Sequence, residues 1–420
     1  MPSLGMVDDI LAVQKCSEKS VEINSVINAF IESKKLKLSD EKCHRIHISK
    51  KNVKDLKCPV LKVHDKKMKD SMKEKYLGDI LDNSGTIRKT IEERKNKGFA
   101  IVAEILAILS EIPLGKYKME IGLKLRQAML INGMLFNSEA WHDVKEAELK
   151  SLESVDEHLL RSLVKAHSKT PLEFLYLETG AAPIRFLISS RRMIYLQTIV
   201  KRSDNEVTKK IYQAQKDDPV KGDYIELVKA DFELIEESLD ESVIMRCGVE
   251  SYKSFIKAKV RKAALKHLNK MKEKHSKIKA INYSELKPQE YLISPIFNDE
   301  NVSLLFSLRS RYVECKANFK SRYRDDDLKC PFCTEDYDDQ KHMLGCKVLS
   351  KHITSDDLTE SKAVYEDIFN EVRKQKTVTL IFKDLIDIRK KLENDPSTSD
   401  QVLKTSIDLR DCIDIFSSGK

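Results

Sequence analysis

Apolar residues recur along this chain at two periods, and the change from one to the other divides it. Near the start, Leu4-Gly5-Met6-Val7 and Ile10-Leu11-Ala12-Val13 flank Asp8-Asp9. Short apolar runs either side of residues that tolerate left-handed backbone predict a strand, a tight turn and a strand. Val21, Ile23, Val26, Ile27, Phe30 and Ile31 then follow at helical spacing, predicting an amphipathic helix over 18–35. Strand-like runs return at Arg45-Ile46-His47-Ile48, with Lys42 near the start of that strand, and again at Val60–Val63 and Tyr76–Leu81.

From residue 87 the helical period takes over. One stripe runs through Ile101, Ile105, Leu106, Ile108 and Leu109, and a second through Ile121, Leu125, Met129, Leu130, Leu135 and Phe136. A third joins Leu149, Leu152, Val155, Leu159 and Leu163. Stripes of that width bury against one another, so a helical bundle is expected over 87–165. The lone tryptophan, Trp141, is expected as a packing anchor. Further amphipathic helices are expected over 361–394 (Val364, Ile368, Val372; Leu380, Ile381, Leu385, Ile388, Leu392), followed by a loop at Asn394–Ser399. The fold class is therefore mainly α with a small α+β N-terminal part.

Composition sharpens this little until charge is placed on the map. The chain has 420 residues, enough for more than one core, and 12 Gly with 10 Pro leaves long helices uninterrupted. No window approaches the roughly 18 uninterrupted apolar residues of a membrane span, and the N-terminus lacks a basic-then-apolar leader. Neither membrane insertion nor secretion is expected, which leaves an intracellular setting, nucleus or cytoplasm. Net charge is only +8, but residues 253–279 hold eleven Lys or Arg against Glu273 alone, a local +10. Lys257, Arg261, Lys262 and Lys266 lie there among Phe255, Ile256, Val260, Leu265, Leu268 and Met271. Uncompensated charge of that density is relieved by a phosphate backbone with release of counterions, which favours nucleic-acid contact over the alternative of a solvated lysine face.

The nine cysteines are scattered apart from one cluster: Cys330-Pro331-Phe332-Cys333, eight residues, His342, three residues, Cys346. A two-residue gap lets one turn present two thiolates to one ion, and a four-residue gap puts His342 and Cys346 on one helical face. The pattern predicts tetrahedral Zn2+, with Glu335, Asp336, Asp338 and Asp339 outside the ligand set and His352 a spare candidate. Just upstream, Arg309, Arg311, Lys316, Lys320, Arg322 and Arg324 alternate with Tyr312, Phe319 and Tyr323. Cations for phosphates and aromatic faces for unstacked bases are what single-stranded nucleic acid requires. A solvated basic helix with its aromatics in the core remains the alternative.

By itself Asp8-Asp9 reads as an acidic surface turn. In order, however, Val7-Asp8-Asp9 in a hairpin, a helix, Lys42 in a strand and Tyr76-Leu77-Gly78-Asp79 resemble the end of a reverse-transcriptase palm, more narrowly that of a non-LTR (LINE-like) retrotransposon polymerase. Phe136–Trp141, Pro171–Leu196 and the final Cys/His knuckle resemble the thumb, the following linker and the C-terminal end of the same proteins, so the resemblance covers residues 4–346. It implies a partial palm at 1–86, a helical thumb at 87–165 and a helical linker at 166–308. Beyond these lie a basic stretch with knuckle at 309–352 and a helical tail at 353–420.

By that resemblance Asp8 and Asp9 are catalytic carboxylates for Mg2+, Lys42 protonates pyrophosphate, and Tyr76, Leu77 and Gly78 form the primer grip. The partners implied are an RNA template and a DNA primer. Two-metal nucleotidyl transfer also needs a third carboxylate and fingers, which in the family precede the Asp pair. Seven residues precede Asp8, so the chain is expected to be incapable of synthesis alone. A non-catalytic nucleic-acid-binding protein derived from a retrotransposon is the competing expectation.

Overall fold

A computed structural model describes the backbone of residues 3–6, 9–14, 17–39, 41–48, 59–63, 66–112, 118–142, 144–279, 281–294, 299–313, 315–322, 324–349 and 372–394. Among the described residues it is mainly helical, with short strands confined to the first 82 positions. The chain divides into two compact units that share the sequence between them: 1–100, 131–155 and 184–260 form the first, 101–130, 156–183 and 261–420 the second.

In the first unit the expected N-terminal hairpin is present, with Ser3–Met6 antiparallel to Asp9–Ala12 and Leu4 opposite Leu11. The helix Ser17–Ser33 follows and is tied to the strand Lys62–Val63 where Asn24 and Asn28 donate to the Lys62 carbonyl at 2.8 and 3.1 Å. Of its described side chains Ile31 alone is buried, while Val21, Val26 and Phe30 are exposed. The run ending at Ile48 contributes only His44–Ile46, which pairs in parallel with Lys69–Ser71 and is braced by Arg45 on Asp70 at 2.7 Å. That ion pair holds the Asp70 carboxyl below its ordinary range.

A second hairpin joins Lys73–Tyr76 to Asp79–Asp82 through Leu77 and Gly78, both with positive φ (47° and 90°). Leu77 is an L residue in strained backbone, and neighbours fix it there. Asn137 donates to the Leu77 carbonyl at 3.1 Å, and buried Arg94 donates to the Gly78 carbonyl at 2.7 Å and pairs with Asp79. Arg94 is buried beside Ile91 and Thr90 on the first turns of the helix Arg88–Glu111.

The middle of the first unit is the helix Ile184–Lys201, which buries residues on most of its circumference. Around it pack the turn Ser138–Ala140 and the helices Val207–Asp217, Tyr224–Leu234 and Glu241–Arg246. Its arginines are engaged within the protein: Arg185 with Glu146 and Glu153, and Arg192 with Asp231. Trp141 is buried at 2% exposure, as a packing anchor should be.

The second unit buries the helix Leu172–Thr179 almost completely. Gly180 ends it in the left-handed region (φ 64°), and the backbone of Lys287 and Pro288 comes so close that a Cβ there would meet it at 2.2 Å. Any larger residue must push that strand-like crossing, Thr179 opposite Pro288, away. The expected second thumb stripe is interrupted here. The helix Lys118–Leu125 widens into a π-helix over Arg126–Ile131, and Arg126 turns inward to a buried, bidentate pair with Asp156, both contacts 2.6 Å. The helix Val372–Glu393 packs on Asp299–Ser310.

Candidate metal centre and nucleic-acid interface

Within the second unit the cysteine pattern closes on itself. The segment before Cys330 turns back on the segment after it: Lys329 bridges Tyr337, the Cys330 N–H donates to the Asp336 carbonyl at 2.8 Å, and Thr334 N–H donates to the Cys330 carbonyl at 3.0 Å. Thr334 takes a positive φ of 57° to complete the turn. The helix Gln340–Gly345 then carries His342, and Cys346 caps its end. Asp339 starts that helix by accepting the His342 N–H at 2.7 Å.

The Sγ atoms of Cys330, Cys333 and Cys346 and a ring nitrogen of His342 all lie within 4.8 Å of one another. Cys330 Sγ is 3.8 Å from Cys346 Sγ, and Cys333 Sγ is 3.2 Å from His342 Nε2. A tetrahedron with metal–sulfur arms of about 2.3 Å has edges of about 3.8 Å, so the donors are spaced to hold one Zn2+. Burial pushes the Cys330 thiol up to about 12, against N–H groups of Cys333 and Phe332 that aim at its sulfur. Cys333 is drawn the other way: burial opposes, but the N–H groups of Glu335 and Asp336 favour its thiolate and lower it. Such N–H donors are the supporting shell that thiolate ligands need. Among the described residues this is the group of three or more His, Cys, Asp or Glu that could hold a metal ion.

The acids of the loop lie outside the donor set and take other work. Asp338, 1% exposed, accepts both arms of Arg389 at 2.7 and 3.0 Å, and the Arg389 guanidinium also lies 5.7 Å from the Phe332 ring centre. Asp338 Oδ2 accepts the Lys316 N–H at 2.8 Å as well, so one buried carboxylate joins the knuckle, the C-terminal helix and the basic stretch.

The other expected site residues fare unequally. On the helix Val249–Lys272, Lys257, Arg261, Lys262 and Lys266 are exposed as expected, and Tyr252, Ile256, Val260, Ala264 and Leu268 form the buried line. Phe255 is exposed, with Lys259 5.4 Å over its ring, so it does not belong to the core pattern. Lys320 and Arg324 are exposed, and Arg311 and Lys316 are half-buried. The side chains of Phe319 and Arg322 and all of Tyr323 and His352 lie outside the described residues.

Arg309 corrects the expectation of a phosphate contact. It is 1% exposed and forms a bidentate pair with Glu178 at 2.7 and 2.9 Å, which holds its pKa above the ordinary value despite burial. Tyr283 and Tyr291 also donate their hydroxyls to Glu178, and burial pushes both phenols up. A buried carboxylate with these donors leaves Arg309 no face toward solvent. Glu178 lies near the end of the helix Leu172–Thr179 beside the buried Phe174, Leu175, Tyr176 and Leu177, and its carboxylate is stabilised there by this cation and the two hydroxyls.

In the N-terminal region, Asp8 and the Asp9 side chain lie outside the described residues, and the Asp9 backbone begins the second strand opposite Met6 rather than sharing the turn. Lys42 is exposed in a turn, its N–H donating to the Ser39 carbonyl at 3.1 Å, and the strand it was expected to enter starts at His44. Tyr76 ends a strand opposite Asp79, and Leu77 and Gly78 make the turn between them, so the strand-like run expected over Tyr76–Leu81 is broken there.

No protein-family model, no curated protein and no solved structure matches this chain.

Proposed function

We propose that the chain handles nucleic acid as the palm-end, thumb, linker and knuckle portion of an RNA-directed DNA polymerase of the non-LTR retrotransposon type. The observation that carries the reading is the Cys330, Cys333, His342 and Cys346 cluster, with Lys320 and Arg324 exposed just before it and Lys257, Arg261, Lys262 and Lys266 exposed on one long helix. Zn2+ supplies a fixed crosslink there, and the lysines and arginines grip the phosphates of an RNA template and DNA primer. Two hairpins, one pairing Ser3–Met6 with Asp9–Ala12 and one turning at Leu77-Gly78, support the polymerase part. In that part Asp8 and Asp9 would bind Mg2+, which activates a primer 3′-oxygen and stabilises the leaving pyrophosphate.

Binding of labelled RNA and of a primer–template duplex by the purified chain, followed over a range of salt, tests the first statement. Steep weakening with salt and loss on Cys333→Ser are expected; no affinity at low salt overturns it. Primer extension with Mg2+ tests the second, and incorporation that disappears in Asp8→Ala would make the chain a polymerase in its own right. The second reading, a binding protein without catalysis, is favoured by one observation. Lys42 stands exposed in a turn rather than in the strand expected for it.

A further inference from the structure

Three lysines from separate segments of the second unit gather beside the knuckle. Lys277, in the turn after the basic helix, donates its Nζ to Asn318 Oδ1 at 2.6 Å and to the Arg311 carbonyl at 3.4 Å, and it lies 3.9 Å over the Tyr312 ring. His167 stacks on the same ring, centroids 5.7 Å apart and planes within 5°. The loop bearing His167 also carries Lys169, and it is pinned: Arg161 donates to the carbonyls of His167 and Thr170, each at 2.7 Å. Lys320 follows Asn318 on the 3-10 helix Lys316–Arg322.

Lys169, Lys277 and Lys320 all reach the surface. Partial burial pushes the Lys277 pKa down, and the positive charges of Lys169 and Lys320 press it further the same way. A fold that brings like charges together carries a Coulombic cost, which an anion between them removes. The arrangement is also wired to the metal centre. Asp338 of the knuckle loop fixes the start of the 3-10 helix by accepting the Lys316 N–H at its carboxylate and the Ala317 N–H at its carbonyl, 2.8 and 3.0 Å. The position of Asn318 and Lys320 therefore follows from that of the knuckle.

We propose that Lys277, held over Tyr312, forms with Lys169 and Lys320 a phosphate-binding site for a nucleic-acid backbone that is assembled by the metal-holding knuckle. It rests on the nucleic-acid reading above and narrows it. Ammonium groups act as point charges without the paired geometry that reads a base, so the contact is indifferent to sequence. Tyr312, with Lys277 over it and His167 stacked on it, holds cations in place rather than receiving a base.

The test is anisotropy of short labelled single-stranded RNAs of several sequences on the zinc-loaded full chain, across a salt series. Lys277→Gln with Lys320→Gln is expected to weaken binding about tenfold, equally for all sequences, and to make the salt slope shallower by about 0.7 per lysine. Replacing the same pair by Arg restores the charge and the slope, and Lys229→Gln, exposed in the first unit, leaves both unchanged. Chelation brings the parent chain to the level of the double Gln variant and costs that variant little more. Circular dichroism confirms that each variant is folded. Undiminished binding and slope in the double Gln variant, while the parent binds, overturns this site and leaves the wider reading standing. Loss confined to one sequence, or a preference for anionic vesicles over RNA, overturns it as well; no binding by the parent overturns both readings.

Discussion

Residues 1–86 and the knuckle are both organised around a short motif, and they differ in how far the motif must reach to acquire its meaning. The knuckle closes its ligand set between Cys330 and Cys346, with its own turn, cap and N–H donors. The N-terminal region depends on distant pairings, such as His44–Ile46 with Lys69–Ser71, and among the described residues every sheet in it has two strands. Two-stranded sheets are marginal on their own, and here Val13, Val21, Val26, Phe30, Leu36, Ile48, Val60 and Met72 remain exposed. A metal site carries its own crosslink, whereas a strand motif is only as good as the core beneath it.

The contrast can be broken or sharpened, beginning with the largest effect. Removing metal should melt the knuckle, because ligand-holding domains of this kind derive on the order of 10 kcal/mol from the ion. Hydrogen exchange should then show protection lost over 328–346 and kept in the hairpin at 73–82; equal loss in both would end the distinction. Next, Glu178→Ala or Arg309→Ala should cost about 3–5 kcal/mol in urea unfolding by stranding a buried charge. Third, Gly78→Ala should cost about 1–2 kcal/mol, since its φ is 90° and a Cβ would stand 3.2 Å from Arg94 and 3.3 Å from Phe136. A fall in Tm with early exchange in that hairpin reads it. Smallest of all, Phe30→Ser should change stability by less than about 0.5 kcal/mol because the ring is exposed; a loss above about 1.5 kcal/mol would mean that the apolar face is covered.

Much of this was legible beforehand where a signal is local. The spacing of Cys330, Cys333, His342 and Cys346 foretold their meeting, because a turn and a short helix convert that spacing directly into geometry. Helices at 88–111 and 146–164 followed from their stripes, and the N-terminal hairpin from its turn residues, whereas the strand-like run at 76–81 is broken by a turn at Leu77-Gly78. What escaped was charge inside apolar surroundings. Arg126 and Asp156 occupy apolar-face positions on two different segments, and neither betrays its partner because the pairing is tertiary. Arg309 was misread for the same reason: it was grouped with Arg311 and the basic residues that follow, while its partner in space is Glu178, 131 residues away. The π-helix at Arg126 has no signature in the apolar spacing that was read.

One feature of the basic helix bears on the shape of what it can hold. Its buried line advances by four residues at each step, from Tyr252 through Ile256, Val260, Ala264 and Leu268 to Lys272. At about 100° per residue, four residues overshoot a full turn by about 40°, so five steps carry the line through about 200°. The lysines opposite rotate with it, and Lys262, Lys266 and Lys270 follow the same oblique path. Over those two steps the positive path turns through about 80°, so it is an oblique ribbon and a polyanion that stays on it must curl.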